Sequence, residues 1–218
     1  MEIYLLCLLF FLTSFVGVIT GGNSLVNVPV LILFGLSPHV AVATNMFGLT
    51  FFSLSGAARF LRARDTIPLR AGFISVLVAL TLLASGLGAL WMVRVESRTL
   101  QQVVSAFMLI VAVFMLGQQK LKLKPPAGPR MRAAGYALAF LLGIYGGFFS
   151  GGYVTMLTFV LVTFFALTWS ESVATTKFVN FFSSLIATVV FYRQGLISLQ
   201  LGIPLTLAMM LGAWLGAS

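Results

Sequence analysis

Thr20-Gly21-Gly22-Asn23 interrupts an apolar run that extends from residue 3 to residue 34, and Gly146-Gly147-Phe148-Phe149-Ser150-Gly151-Gly152 interrupts another from 133 to 168. A membrane-crossing helix takes about 17–25 residues. Each run is too long for one such helix and short for two. Glycine weakens a helix by about 1 kcal/mol relative to alanine, and backbone released from helical pairing inside a bilayer must find partners in protein or in a water-lined cavity. Each run is therefore expected to be two half-helices that meet within the membrane.

The remaining apolar runs, 40–58, 67–93, 99–116, 172–192 and 196–217, fit one crossing each. Of the 218 residues 60% are hydrophobic and 8% charged, with a mean hydropathy of +1.10. A soluble domain carries about 25% charged residues, so this chain reads as an all-α polytopic membrane protein. Nine of the thirteen basic residues lie in two short stretches, 59–70 and 117–132, between apolar runs. Basic residues placed this way orient a membrane protein with those loops in the cytoplasm, which accounts for the net charge of +9 without nucleic acid. Met1-Glu2 precedes the first apolar run with no basic leader region, so that run reads as a retained membrane segment.

The two interruptions are related. At a constant offset of 131, residues 42–62 match 173–193 at nine of twenty-one positions, including Val42-Ala43-Thr44 on Val173-Ala174-Thr175 and Arg62 on Arg193. At an offset of 130, Gly21-Gly22 falls on Gly151-Gly152 and Gly72 on Gly202. The chain divides into a first transmembrane repeat (1–116), a basic, proline-rich linker (117–131) and a second repeat (132–218). Lys124-Pro125-Pro126-Ala127-Gly128-Pro129 is expected to be non-helical. The first repeat has a helix, 99–116, whose counterpart the second lacks, so the expected fold is missing the last helix of the second repeat, which points to a shortened sequence. The outer face of 196–217 should then be apolar and exposed. Re-entrant breaks would make the repeats inverted; breaks that cross fully would make them parallel. Discontinuous helices at matching places favour inversion around a central site, with Gly22 and Gly152 close together.

A helix N-terminus carries unpaired N–H groups and about half a positive charge, which suits an anion. Asn23 and Ser24 are expected to cap the half-helix after Gly21-Gly22, and Ser150 stands just ahead of Gly151-Gly152. The competing reading gives the glycines only close helix packing. On the following spans Thr44 and Asn45 correspond to Thr175 and Thr176, and Lys177 and Asn180 share a face. Lys177 is either an intramembrane functional group or a lysine snorkelling to the interface beside Glu171. His39 after Pro38 reads as interfacial. With one cysteine, Cys7, and one histidine, neither a disulfide nor a metal cluster can be built; no cofactor and no enzymatic constellation is expected.

Gly21-Gly22-Asn23-Ser24-Leu25-Val26-Asn27-Val28-Pro29, followed by Gly35, Pro38, Ala41 and Thr44 in the pattern G-x-x-P-x-x-A-x-x-T, resembles the sulfite exporter TauE/SafE family, the toluene sulfonate uptake permease type of anion transporter. Gly146–Gly152, then Ala174-Thr175-Thr176-Lys177 and Asn180, resembles the family's second copy. Two features depart from the pattern: Asn23 stands where a third glycine is commoner, and the final helix is absent. The resemblance implies a multi-pass inner-membrane permease for sulfite, organosulfonates or related sulfur-containing anions. The residues that would bind the anion are Thr20, Gly21, Gly22, Asn23, Thr44, Asn45, Ser150, Gly151, Gly152, Thr175, Thr176, Lys177 and Asn180. The expected partners are a small anion and membrane lipid; H+ or Na+ as coupling ion and a homodimer stay open. The competing functions are a non-transporting scaffold or assembly subunit, and a permease for an uncharged metabolite.

Overall fold

Among the described residues seven stretches fold as helices long and apolar enough to cross a membrane, and two shorter apolar helices follow the glycine breaks. The computed structural model describes residues 2–63, 71–117 and 128–217. Among these, the helices are α1 (Glu2–Thr20), α2 (Ser24–Leu33), α3 (Pro38–Ala63), α4 (Ala71–Arg94), α5 (Ser97–Gly117), α6 (Gly128–Phe148), α7 (Tyr153–Phe165), α8 (Trp169–Arg193) and α9 (Leu199–Gly216). Helix starts follow local chemistry. At α8, Thr168 Oγ1 accepts from Glu171 N (3.3 Å) and Thr168 N donates to Glu171 Oε2 (2.7 Å), a complete capping box.

Two expectations are corrected. The broken runs are not paired half-helices: α1 has 19 residues and α6 has 21, against 10 in α2 and 13 in α7. At 1.5 Å per residue α1 is about 28 Å long, enough to cross. The first helix persists to the break because its glycines, Gly17 in α1 and Gly143, Gly146 and Gly147 in α6, face neighbouring atoms and stay helical. The described ends of the expected linker, Gly117 and 128–131, are helical, and 118–127 lie outside the described residues. α6 opens at Gly128 (φ +83°), and Pro129 sits in its first turn, where a missing N–H removes no helical bond. The basic positions Arg64, Arg70, Lys120, Lys122 and Lys124 lie outside the described residues.

The centre of the protein is the contact of α3 with α8. Asn180 Nδ2 donates to Ser53 Oγ (2.6 Å), and Thr50 and Thr188 share a hydroxyl hydrogen bond (3.1 Å). Position falls along α3 as it rises along α8, so the two helices run antiparallel. On either side a glycine pair lets backbones touch. Gly212 and Gly216 of α9 lie against the Phe11 and Phe15 carbonyls of α1, and Gly143 and Gly147 of α6 lie against Ala84 and the Ser85 carbonyl of α4. Both pairs are Gly-x-x-x-Gly, the spacing that removes side chains from one helix face. Since 212→216 tracks 11→15, and 143→147 tracks 84→85, each pair is parallel. The outer face of α9 is an exposed apolar stripe, Leu199, Ile203, Leu207, Leu211 and Leu215.

A Cβ added at Gly147 would land on the Ser85 carbonyl, whereas Gly72 has nothing within 4 Å. Gly147→Ala is expected to push α6 off α4 and cost about 1–3 kcal/mol. Gly72→Ala should leave stability unchanged or raise it by up to about 1 kcal/mol. Thermal unfolding of both purified variants in one detergent checks the contrast, and equal melting temperatures would refute the close-packed α4–α6 seam.

Candidate functional site at the paired helix breaks

The two breaks meet. Thr155, in the first turn of α7, donates its hydroxyl to the Thr20 carbonyl at the end of α1. A Cβ on Gly21 would lie 2.7 Å from Val154 Cβ and 2.9 Å from Thr155 N, and one on Gly151 would lie 2.8 Å from Leu25 Cδ2. Gly21 (φ +77°) and Gly152 (φ +74°) occupy the left-handed region that glycine enters without penalty. Ser150 adopts φ +67° with a side chain, a conformation that costs of order 1–3 kcal/mol. It is held there by its N–H to the Tyr145 carbonyl (3.4 Å) and by Tyr153 N donating to its own carbonyl (3.2 Å). Tyr145 OH, in turn, donates to the Gly151 carbonyl.

Capping is not the role of the polar residues at the breaks. Asn23 is helical (φ −56°, ψ −38°), makes no side-chain cap, and is buried with its Nδ2 unpaired. Ser24 Oγ instead accepts from Asn45 Nδ2 on α3 (3.0 Å). In the second half Thr158 Oγ1 of α7 donates to Thr176 Oγ1 of α8 (3.2 Å). Each short helix is thus tied to the span that follows it. Thr20 Oγ1 bonds the Val16 carbonyl (3.2 Å), and Thr44 Oγ1 accepts from Ser198 N (3.1 Å) at the head of α9, away from the breaks. Thr175 is buried on α8.

Three buried amides stand out. Asn27 Oδ1 accepts from Thr13 Oγ1 (2.7 Å) and leaves Nδ2 unpaired. Asn45 and Asn180 each donate to a serine hydroxyl and leave Oδ1 unpaired. A serine hydroxyl serves either end of an amide, so whichever way these two are turned, one polar end has no partner among the described residues. Buried polar groups are normally satisfied; unpaired ones beside a discontinuous helix are available to a ligand or water.

Lys177 does not snorkel. It is fully buried, and its Nζ donates to the Gly17 carbonyl (3.4 Å) and lies 4.4 Å from the centre of the Phe52 ring. The same carbonyl accepts from Gly21 N (2.7 Å), so the ammonium sits on the last turn of α1, at the negative end of its dipole and next to the first break. Asn180 shares its face as expected, and both point at α3. His39 bridges elements outside the site: Nε2 to the Val95 carbonyl (2.8 Å) and Nδ1 to Ser97 Oγ (3.2 Å).

The residues brought together are Thr20, Gly21, Asn23, Ser150, Gly151 and Gly152, with Asn45 held through Ser24 and Lys177 through Gly17. Thr155, Asn27 and Tyr145 belong with them and were not singled out from sequence. The repeat carried the signal for one: at the offset of 131, Ser24 falls on Thr155. Amides, hydroxyls, two helix N-termini and one ammonium form a neutral-to-positive, acid-free set of groups.

The comparisons with known proteins bear on the family and not on these residues. The chain is 30% identical to a probable membrane transporter protein of Haemophilus influenzae over 98% of its own length and 84% of that protein's. It is 28% identical to the probable membrane transporter protein YfcA of Escherichia coli K12, over 98% of this chain and 80% of that one. With the probable membrane transporter protein ORF9 of a Sinorhizobium species it shares 27% identity, over 100% of this chain and 84% of that one. No solved structure is significantly similar. Seven candidate spans make it a multi-pass membrane protein, and the family model for sulfite exporter TauE/SafE matches residues 6–218, nearly the whole path from α1 through α9. By this match the chain belongs to the sulfite exporter TauE/SafE family of membrane transporters.

Proposed function

We infer that this permease is a secondary transporter of a small sulfur-containing anion, sulfite or an organosulfonate, bound where the two helix breaks meet. The observation that carries the reading is the Thr155-to-Thr20 hydrogen bond, which joins the start of α7 to the end of α1. It brings the N-terminal turns of α2 and α7 to one place, beside the unpaired amide of Asn23. Converging N–H groups and amides hold an oxyanion without a permanent cation at the binding point. The antiparallel course of α3 and α8, with α1 along α9 and α6 along α4, supports two repeats of opposite orientation, the arrangement in which alternating access rocks one repeat against the other. A scaffold would gain nothing from non-helical backbone at matching places in both halves.

Proteoliposomes carrying the purified protein should exchange labelled sulfite, and unlabelled sulfite or a short alkyl sulfonate should compete where an uncharged sulfone of the same size does not. Absence of protein-dependent exchange for every sulfur oxyanion tried would remove the substrate assignment. Competition by the sulfone would favour the uncharged-metabolite reading.

A further inference from the structure

α5 stands apart from the bundle at one place. Between it and α6 lies a half-open apolar cavity of about 330 Å³, lined by Phe107 and Ile110 of α5, Leu141, Leu142 and Tyr145 of α6, and Trp91 of α4. Phe107 packs on Tyr145 (ring centroids 4.6 Å apart), and Trp91 packs on Phe148 (5.3 Å). These rings give the cavity stiff walls. We propose that it holds one acyl chain of an anionic glycerophospholipid, with the headgroup at the α4–α5 turn.

Three observations converge on that occupant. The cavity opens on membrane-spanning faces, where acyl chains are the surrounding solvent, and an empty apolar void would forfeit the dispersion contacts of its lining. Trp91, 60% exposed, stands at the rim within one turn of the end of α4, the level at which tryptophan marks a membrane interface. Arg94 lies one turn beyond Trp91, on the same side of α4, and is exposed, with Glu96 on the turn that follows. A guanidinium at the head of an apolar groove matches a phosphate joined to a hydrocarbon tail. Apolar burial from lipid into such a groove brings no hydrophobic gain, so the selection rests on the rigid aromatic walls and on the headgroup charge.

The site adjoins the second break. Tyr145 lines the groove with its ring while its hydroxyl holds the Gly151 carbonyl, and Val111, another lining residue, packs directly on Gly152. A bound chain therefore presses on the two contacts that set the Ser150–Gly152 geometry.

The test uses the whole protein in vesicles doped with phosphatidylglycerol or phosphatidylcholine bearing a photoreactive acyl chain, with labelled peptides mapped by mass spectrometry. In the wild-type protein, label should concentrate on peptides containing Phe107 and Leu141–Tyr145 over the exposed Leu83 and Leu87 of α4, and more from phosphatidylglycerol. Val103→Trp, which fills the groove, should abolish that concentration; Leu109→Trp, on the outer face of the same helix, should preserve it. Arg94→Gln should erase the phosphatidylglycerol preference. Label spread evenly over all lipid-facing helices, or equal labelling by the two lipids, overturns the proposal. So does an intermolecular disulfide formed by Ile110→Cys in a Cys7→Ser background, which would make a second copy the occupant. The wild-type map needs no variant, so a misfolded mutant leaves the test decisive.

Discussion

Gly21→Ala should eliminate anion binding while the protein still inserts as a helical bundle. Two costs fall on that methyl group. Gly21 sits at φ +77°, where a Cβ costs roughly 1–2 kcal/mol. The added carbon would also lie 2.7 Å from Val154 Cβ and 2.9 Å from the backbone nitrogen of Thr155. A backbone atom at the start of a helix cannot swing aside as a side-chain tip does, so α7 must move, and overpacking of this kind adds about 1–3 kcal/mol. The movement opens the Thr155-to-Thr20 bond and separates the two helix N-termini. Gly35 supplies the control. It too has a positive φ, +91°, but its Cβ would meet nothing within 4 Å, so Gly35→Ala bears the backbone strain alone. Sulfite affinity and melting temperature of both variants, measured in one detergent, separate strain from displacement. If Gly21→Ala retains the affinity of Gly35→Ala, the meeting of the breaks is not what forms the site.

How far this geometry is legible in the sequence depends on which interaction sets each feature. The helices are legible because hydropathy and length govern them, and the breaks because paired glycines are locally costly in a helix. The lengths of the paired helices are not. Gly17, Gly143 and Gly147 carry the same intrinsic penalty as Gly21, and only their close contacts with Asn23, Ala84 and Ser85 hold them helical. The capping roles expected of Asn23 and Ser24 fail for a related reason. The Asn45 amide claims the Ser24 hydroxyl from across the sequence, and no local pattern reports that competition. Thr155 was within reach, since the repeat aligns it with Ser24, expected as a cap. Tyr145 was not. Its ring lies in a helix like any other aromatic, and its role exists only because the chain folds back to place the Gly151 carbonyl at its hydroxyl.

Lys177 is where sequence left two readings and the fold removes one. Hydropathy cannot tell whether a lysine about six residues into an apolar run reaches outward or inward, and a helical side chain leaning toward its N-terminus makes the outward course easy. Here the ammonium is instead captured by the Gly17 carbonyl and the Phe52 ring, neither of which carries charge. Attraction to an anion at about 4 Å is worth roughly 4 kcal/mol at an effective dielectric constant of 20, much of it offset by desolvation of both ions.

Lys177→Met is accordingly expected to weaken sulfite binding by about 1–3 kcal/mol, the value of a charge-assisted hydrogen bond, or about 5- to 150-fold in Kd. Stability should move the other way or not at all. The Gly17 carbonyl keeps its bond from Gly21 N, so no buried acceptor is orphaned, and methionine fills the space without a buried charge, an exchange that is often neutral or stabilising. A lysine serving only as a strut for the end of α1 predicts the opposite pair of results, a lower melting temperature and an unchanged Kd. Titrating wild-type and variant protein with sulfite at matched ionic strength, alongside thermal unfolding, decides between them. An unchanged Kd would leave anion recognition to the helix N-termini, the amides of Asn23 and Asn27 and the hydroxyls at the breaks.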